Sequence, residues 1–136
     1  MRIVLDVNAI MPTRAHTTDA GLDLYAMEDQ IVRARESAIF DTGVHIELPP
    51  NSAGLLVSKS GLNVKHGLIS DGIIDYGYTG SIVVKLYNLS DYDYIIRRGD
   101  KISQLVIIPI LLPGLAQTDK LNESERGDNG FGSSGR

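Results

Sequence analysis

Residues 81–111 read SIVVKLYNLSDYDYIIRRGDKISQLVIIPIL, which holds three short β-branched runs separated by Asn, Ser, Asp and Gly. In the first run, Ile82, Val84 and Leu86 alternate with the residues between them, which predicts a strand with one face in the core. Residues 105–108 are all apolar, which predicts a strand buried on both faces, in a sheet centre or against another subunit. The turn formers between the runs favour short antiparallel connections.

The remainder of the chain repeats this pattern. Further β-branched runs occupy residues 2–7, 38–48 and 54–58, and only residues 60–66 offer a short helix. An alternating strand and helix order would need helical segments of about ten residues or more between the strands. The sequence therefore predicts an all-β fold, a distorted jelly roll or β-sandwich with one short helix.

Composition excludes several classes of function. The 136 residues suffice for one domain, and 43% hydrophobic with 22% charged residues is a globular composition. With 13 Lys and Arg against 17 Asp and Glu, the net charge of −4 argues against a nucleic-acid polymer as ligand. The absence of cysteine excludes disulfides, thiolate zinc sites and cysteine nucleophiles.

The chain has no evident targeting or membrane segment. Asp6 and Asn8 interrupt the region where a signal peptide needs an apolar core. The longest apolar run, residues 105–116, contains Pro109 and Pro113 and is shorter than the roughly 20 residues that span a bilayer. We therefore expect a cytoplasmic protein, or one of the host cytoplasm if the source is a virus or phage.

The C-terminal end differs from the rest in composition. We expect a β domain over residues 1–122 and a flexible Gly/Ser-rich arm over residues 123–136, ESERGDNGFGSSGR. A disordered terminus is the simpler interpretation of such an end. A closing lid is the alternative, because an aromatic ring can stack on a flat ligand while amides and hydroxyls donate to phosphate. The candidate lid contacts are Arg126, Phe131, Gly132, Ser133 and Ser134.

Five polar, glycine-containing segments stand near strand ends, whereas the common nucleotide-binding and nucleophile motifs are absent. AGLDLYA at 20–26 carries Asp23 and SKSGL at 58–62 carries Lys59 at a predicted strand-to-helix junction. DGIIDYGYTG at 71–80 indicates a hairpin with Asp75 partly shielded from water, although aspartate in a hairpin is commonly a turn former. Residues 97–109 carry Gln104, and the arm supplies the fifth segment.

Taken together and in this order, the five segments resemble the five motifs of the homotrimeric dUTPase family. The likeness extends over residues 20–136, with GIIDYGYTG at 72–80, GDKISQL at 99–105 and RGDNGFGSSG at 126–135 among the matching motifs. Three departures are Lys59 where the family usually has arginine, a shortened stretch at residues 67–71 with Asp71 where Asn or Gly is common, and Ser134 in place of threonine. Lysine offers one ammonium where arginine offers a bidentate fork, so this contact would be weaker.

The resemblance implies hydrolysis of dUTP to dUMP and pyrophosphate by water attack at the α-phosphate. This activity limits uracil incorporation into DNA and supplies dUMP for dTMP synthesis. It further implies a homotrimer with shared active sites, Asp75 as the catalytic base, and Mg²⁺ held by Asp23 through water. The implied substrate-binding residues are Lys59, Ser60, Gly61, Gly72, Ile74, Tyr78, Gln104, Arg126, Phe131, Gly132, Ser133 and Ser134.

Two other functions remain open at this point. A dCTP deaminase relative would share the fold, but deamination needs an acid/base glutamate near the pyrimidine and the 71–80 segment offers only aspartates. A nucleotide-gated regulatory protein with an unknown protein partner is the second alternative. Its weakness is that 136 residues leave little length for partner-binding insertions.

Overall fold

The structure, a computed structural model, describes residues 1–128 and consists there of short strands and one seven-residue helix. This confirms the predicted all-β class and the short helix at residues 60–66. In chain order the elements are β1 (Arg2–Leu5), β2 (Gly21–Tyr25), β3 (Gln30–Val32), β4 (Ser37–Asp41), β5 (Val44–Glu47), β6 (Ser52–Val57), α1 (Ser60–His66), β7 (Leu68–Ile69), β8 (Asp71–Ile74), β9 (Val83–Asn88), β10 (Tyr94–Ile96) and β11 (Lys101–Pro109).

Local sequence explains several of these elements. In β9, Val84 and Leu86 are buried while Val83 and Lys85 are exposed, as the alternation predicts. Helix α1 ends at Gly67, whose φ of 68° suits glycine at a left-handed helix end.

The strands form antiparallel sheets that share one core. The larger sheet has the order β2-β11-β6-β8, a second has β4-β9-β7, and β1 with β5 and β10 with β3 form two-stranded sheets. Leu24 and Leu105 from the larger sheet lie in the same buried cluster as Phe40 and Val84 from the second. Two sheets packed through their inner faces make a β-sandwich, which places the core between them.

The predicted hairpin at residues 71–80 is wrong. Strand β8 pairs with β6 of the larger sheet, whereas β9 pairs with β4 and β7 of the second, so the intervening chain crosses between sheets. Gly77, with φ of 92°, makes a turn as expected. However, the Ile82 N–H donates to Val44 O at 2.8 Å and directs the chain to the second sheet. A turn signal predicts a change of direction but not the partner of the next strand.

The β-branched run at residues 38–48 also divides between two sheets. It breaks between β4 and β5 at Thr42 and Gly43. Gly43 has φ of 62°, and a Cβ there would lie 2.8 Å from both the Ala9 Cβ and the Met27 Sδ. Only glycine fits this corner without a rearrangement.

Strand β11 lies between β2 and β6 in the larger sheet, and a position inside a sheet was one of the two predicted for residues 105–108. Leu105 is fully buried, whereas Val106, Ile107 and Ile108 are only partly buried within a single chain. A single chain therefore does not provide the burial on both faces of β11 that the sequence predicted for residues 105–108.

After β11 the described chain contains no further helix or strand, and residues 111–128 are exposed. The predicted boundary at 122/123 remains a prediction. Within residues 1–128, no helix is long and apolar enough to cross a membrane.

Candidate active site

A buried carboxylate, Asp23, lies among charged and polar side chains at one end of the larger sheet. Its side chain is 3% exposed. Lys59 Nζ donates to Oδ1 at 2.6 Å and Lys101 Nζ to Oδ2 at 2.7 Å. Burial raises the pKa of Asp23, but the ammonium groups of Lys101 and Lys59 outweigh it and hold the pKa below its usual value. Asp23 is thus a charged anchor, not the solvated surface group common at such strand positions.

Strand register explains how this cluster forms. Asp23 on β2 is opposite Gln104 on β11, and Gln104 is opposite Val57 on β6. Gln104 Nε2 donates to Asp23 Oδ1 at 3.2 Å. At Gly21 a Cβ would lie 3.0 Å from the Gln104 Cβ, so glycine leaves room for this side chain. Lys59 follows the end of β6, and its side chain contacts Asp23 from there.

Lys101 is a site residue that sequence analysis missed. It begins β11 and lies opposite Tyr25, with a register shift before Ser103. Its Nζ also lies 6.0 Å from the Tyr25 ring centroid. A lysine after a Gly-Asp turn looks like an ordinary solvated side chain, so only the pairing of β11 with β2 reveals its partner.

Buried serine hydroxyls fasten the strands that carry this cluster. Ser103 Oγ donates to Val57 O at 3.1 Å, so in its 2.9 Å contact with Ser70 Oγ the proton comes from Ser70. Ser58 Oγ donates to Ser70 O and accepts from the Ser70 N–H. These bonds link β6, the start of β8 and β11 immediately beside Lys59 and Gln104.

The cluster suits an anionic ligand. The predicted residues Ser60 and Gly61 form the first turn of α1 and are exposed, next to Lys59. No side chain caps the helix N-terminus. Ammonium groups, an amide and backbone N–H groups are the donors that phosphate oxygens accept from. The structure therefore brings four predicted residues together: Lys59, Ser60, Gly61 and Gln104.

A second group of predicted residues lies on the loop at residues 75–80, called here the 75–80 loop. Ile74, Asp75 and Tyr78 line a cavity of about 190 Å³ together with Ile73, Ser81 and Val83. The Tyr78 N–H donates to Asp75 O at 3.0 Å, and its hydroxyl donates to Ser81 O at 2.9 Å. Asp75 is exposed in the single chain, so the predicted shielding is not provided by the chain itself.

The two groups lie far apart within one chain. Asp23, Gln104, Val57 and Asp71 form a row across the four strands, and Asp75 comes four residues beyond Asp71. With about 3.3 Å per residue and about 4.8 Å between strands, Asp75 lies on the order of 20 Å from Asp23. Gly72 lies between the groups, on β8 against Leu56. One chain therefore does not bring the predicted base to the cationic cluster.

The predicted contacts of the C-terminal arm are not part of either group. Phe131, Gly132, Ser133 and Ser134 lie outside the described residues. Arg126 lies in the exposed segment that follows β11.

Asp23 has the donor chemistry for magnesium, because Mg²⁺ prefers carboxylate oxygens and retains several waters. Both its oxygens accept from lysine ammonium groups, and Oδ1 also accepts from Gln104, so Oδ2 is the oxygen that keeps a lone pair for a metal-bound water. Residues 1–128 contain no group of three or more His, Cys, Asp or Glu that could hold a metal ion. The fit is therefore to an outer-sphere carboxylate and not to a protein cage.

The chain is similar in sequence to known dUTPases over most of its length. The dUTPase family model matches residues 7–135. The deoxyuridine 5'-triphosphate nucleotidohydrolase of Clostridium kluyveri is 41% identical over 134 residues, covering 96% of this chain and 94% of the relative. The enzyme of the same name from Arabidopsis thaliana is 39% identical and covers 96% of this chain and 80% of the relative.

Solved structures agree with the sequences. The dUTPase of Staphylococcus bacteriophage 80alpha, determined with dUpNHpp, has a TM-score of 0.92 at 35% identity and covers 99% of this chain and 98% of that one. A mutant dUTPase of phage phi11 of S. aureus, which coordinates a structural Mg(II) ion, has a TM-score of 0.81 at 33% identity, covering 88% and 96%. These similarities confirm the predicted jelly-roll type of β-sandwich.

Proposed function

Because the chain belongs to the dUTPase family and is a dUTP diphosphatase, we propose that Asp75 is the general base of its reaction. The Asp75 carboxylate accepts a proton from a water molecule as that oxygen bonds to the α-phosphorus of dUTP. The bond from the α-phosphorus to the oxygen that it shares with the β-phosphorus then breaks. Pyrophosphate departs, and dUMP is the second product. Support comes from the position of Asp75 in a cavity beside Tyr78.

The cationic cluster is the proposed binding site for the phosphates. Lys59 is held by Asp23 with its side chain 23% exposed, and Gln104 donates to the same carboxylate. Developing negative charge on the phosphate oxygens is stabilised by such fixed donors, which cost little reorganisation during the reaction. Ser60 and Gly61 would add donors from the start of α1.

The 75–80 loop is the proposed binding site for deoxyuridine. Backbone groups of residues 72–74 would hydrogen-bond to the uracil edge, and Tyr78 would pack beneath the sugar and reject a ribose 2′-hydroxyl. The cavity there has a volume of about 190 Å³, smaller than the roughly 300 Å³ at which ligand pockets usually begin. Parts of other chains would therefore complete it.

We propose a homotrimer, as the resemblance to the family implies, and the separation of the two groups supports sites shared between its chains. The base and the phosphate-binding residues of one chain lie on the order of 20 Å apart, too far for one dUTP α-phosphate to contact both. In the proposed trimer, Asp75 of one subunit meets Lys59 and Gln104 of the next.

We further propose that residues 123–136 act as a flexible arm that closes over the site of another subunit. Arg126, Ser133 and Ser134 would contact the phosphates, Gly132 would offer its amide, and Phe131 would stack on the uracil. The Gly/Ser-rich composition supports this role.

Magnesium is the cofactor expected of the family, and when bound it would neutralise charge on the three phosphates. We propose that Asp23 holds it through coordinated water. We also propose that the enzyme acts in the cytoplasm, or in the host cytoplasm for a phage source.

The decisive experiment measures pyrophosphate release from dUTP, dTTP, dCTP and UTP with magnesium for the unmodified protein, Asp75→Asn and Asp91→Asn. We expect release from dUTP alone, with kcat at least about a hundredfold lower in Asp75→Asn because the base is lost. Asp91→Asn is the matched control, because Asp91 is exposed and pairs only with the equally exposed Arg35 among the contacts described. Its kcat should be unchanged.

Each contrary result removes one part of the proposal. Equal rates on all four nucleotides would contradict the proposed role of the 75–80 loop in specificity. Full activity of Asp75→Asn would contradict the proposed role of Asp75 as the general base. Ammonia release from dCTP would support the dCTP deaminase alternative. A regulatory role with a protein partner stays a prediction.

A further inference from the structure

His45 on β5 connects the first strand of the fold to the 75–80 loop. Its Nδ1 lies 2.9 Å from Thr79 O, and its Nε2 lies 3.3 Å from Asp6 Oδ2. Thr79 directly follows Tyr78, the proposed sugar-contacting residue. The side chain of His45 is 28% exposed, at the wall of a cavity of about 520 Å³ that also contacts Thr79.

Both neighbours of the His45 ring are hydrogen-bond acceptors. A carbonyl oxygen and a carboxylate oxygen each need a donor, so both ring nitrogens carry hydrogen when both contacts are made. The bridge is therefore complete only with the imidazolium form.

The charges around the ring favour this form. The bond to Thr79 O and the Asp6 carboxylate raise the pKa of His45, and the Asp41 carboxylate adds to the effect. Arg2 and Glu47, which line the same cavity, pair with each other through an exposed salt bridge. Their charges largely cancel at His45.

Other contacts hold the chain after Thr79, including Ser81, whose carbonyl oxygen accepts from the Tyr78 hydroxyl. Ser81 Oγ donates to Asp41, Thr42 Oγ1 donates to Ile82 O at 2.7 Å, and the Ile82 N–H donates to Val44 O. These bonds fix residues 81 and 82 on the second sheet. His45 holds residue 79, so it controls how the loop approaches this anchored end.

We propose that His45 is a positioning residue for the nucleoside-binding loop, its imidazolium bridging Asp6 and the Thr79 carbonyl so that Tyr78 is held for substrate. The inference rests on the proposed role of the 75–80 loop in binding deoxyuridine. With this bridge, substrate binding and not the chemical step depends on the protonation of His45, which is remote from the phosphates.

The test compares His45→Asn with His45→Gln. The side-chain amide of asparagine can replace Nδ1 as donor to Thr79 O, whereas that of glutamine extends to the position of Nε2 near Asp6. At pH 6.5 we expect His45→Gln to raise KM for dUTP about fivefold with kcat within about twofold, the loss expected for one partly exposed hydrogen bond. His45→Asn should keep KM within about twofold of the unmodified protein.

The pH profile separates positioning from a purely structural role. KM of the unmodified protein should rise as pH increases through the raised pKa of His45, because the neutral ring keeps its hydrogen on Nε2 for the Asp6 carboxylate, the stronger acceptor, and the bond from Nδ1 to Thr79 O is lost. His45→Asn should lack this rise, and it controls for titration of the nucleotide and of other groups. Superposed profiles of the two proteins would overturn the proposal, as would equal KM values for His45→Asn and His45→Gln.

Nitrogen NMR of the unmodified protein provides a readout that needs neither turnover nor a variant. Both His45 ring nitrogens should carry hydrogen at pH 6.5, and a neutral ring there would overturn the bridge even if His45→Gln failed to fold. If the unmodified protein released no pyrophosphate from dUTP, the proposed function would fail and the positioning role with it. Normal turnover with superposed profiles would overturn only the role of His45.

Discussion

Asp23 shows how one side chain's surroundings determine its chemistry. It is almost fully buried, yet it stays charged because Lys59 and Lys101 contact its two oxygens. A buried carboxylate without such partners would favour its neutral form. The Lys59 contact connects the lysine proposed to bind phosphate to the protein core.

The lowered pKa of Asp23 predicts a loss of stability in acid. A carboxylate whose pKa is depressed by folding contributes stability above its ordinary value of 3.8, and this is lost as pH falls through the lower folded value. The free energy of unfolding should therefore fall below about pH 4, with Asp23 contributing to the fall. Urea unfolding between pH 5 and pH 3 measures it.

Asp23→Asn should remove that part of the acid dependence, because asparagine does not titrate. Asp91→Asn is the control, since the exposed pair of Asp91 with Arg35 adds little to stability. A curve for Asp23→Asn that runs parallel to that of the unmodified protein would show that Asp23 is not the titrating group.

Among the strands, β6 depends on a glycine for its place in the sheet. Gly54 lies opposite Ile107 on β11 and Ile74 on β8. A Cβ at position 54 would lie 2.7 Å from Leu105 Cδ1 and 3.3 Å from Ile74 Cβ. Leu105 is fully buried, so its side chain has little room to move away.

Gly54→Ala should therefore destabilise the protein by about 1–3 kcal/mol through overpacking. The midpoint of urea unfolding measures this change. Gly114→Ala is the matched control, because a Cβ there meets nothing within 4 Å. An unchanged midpoint for Gly54→Ala would show that β6 and β11 move apart at little cost.

For the assembled protein, the separation of Asp75 from Lys59 predicts complementation between inactive chains. Asp75→Asn lacks the proposed base and Lys59→Met lacks a proposed phosphate contact, so each alone should be nearly inactive. A mixed trimer can pair the intact Asp75 of one chain with the intact Lys59 of its neighbour. With random mixing, about a quarter of the sites are intact.

The measurement is dUTP hydrolysis after the two variants are unfolded, mixed in equal amounts and refolded together. We expect about a quarter of the activity of the refolded unmodified protein. Each variant refolded alone is the control. If the mixture is no more active than the controls, base and phosphate contacts come from the same chain.

Local sequence patterns correctly predicted those strands and helices whose conformation depends mainly on neighbouring residues. The alternation in β9 and the glycine after residue 66 depend on neighbours a few residues away, so the strand and α1 were predicted correctly. The hairpin predicted at residues 71–80 is wrong because the partner of a strand depends on distant hydrogen bonds. The bond from Ile82 to Val44 is an example.

The order of motifs in the chain was enough to identify the family and to propose Asp75, Lys59 and Gln104 as site residues, because residue types and short spacings are written directly in the sequence. Tertiary structure alone revealed Lys101 beside Asp23, the bridge at His45 and the distance between Asp75 and Lys59. The physical reason is that these features depend on strand register and sheet crossing. Such pairings join residues remote along the chain, and no local pattern of residues encodes them.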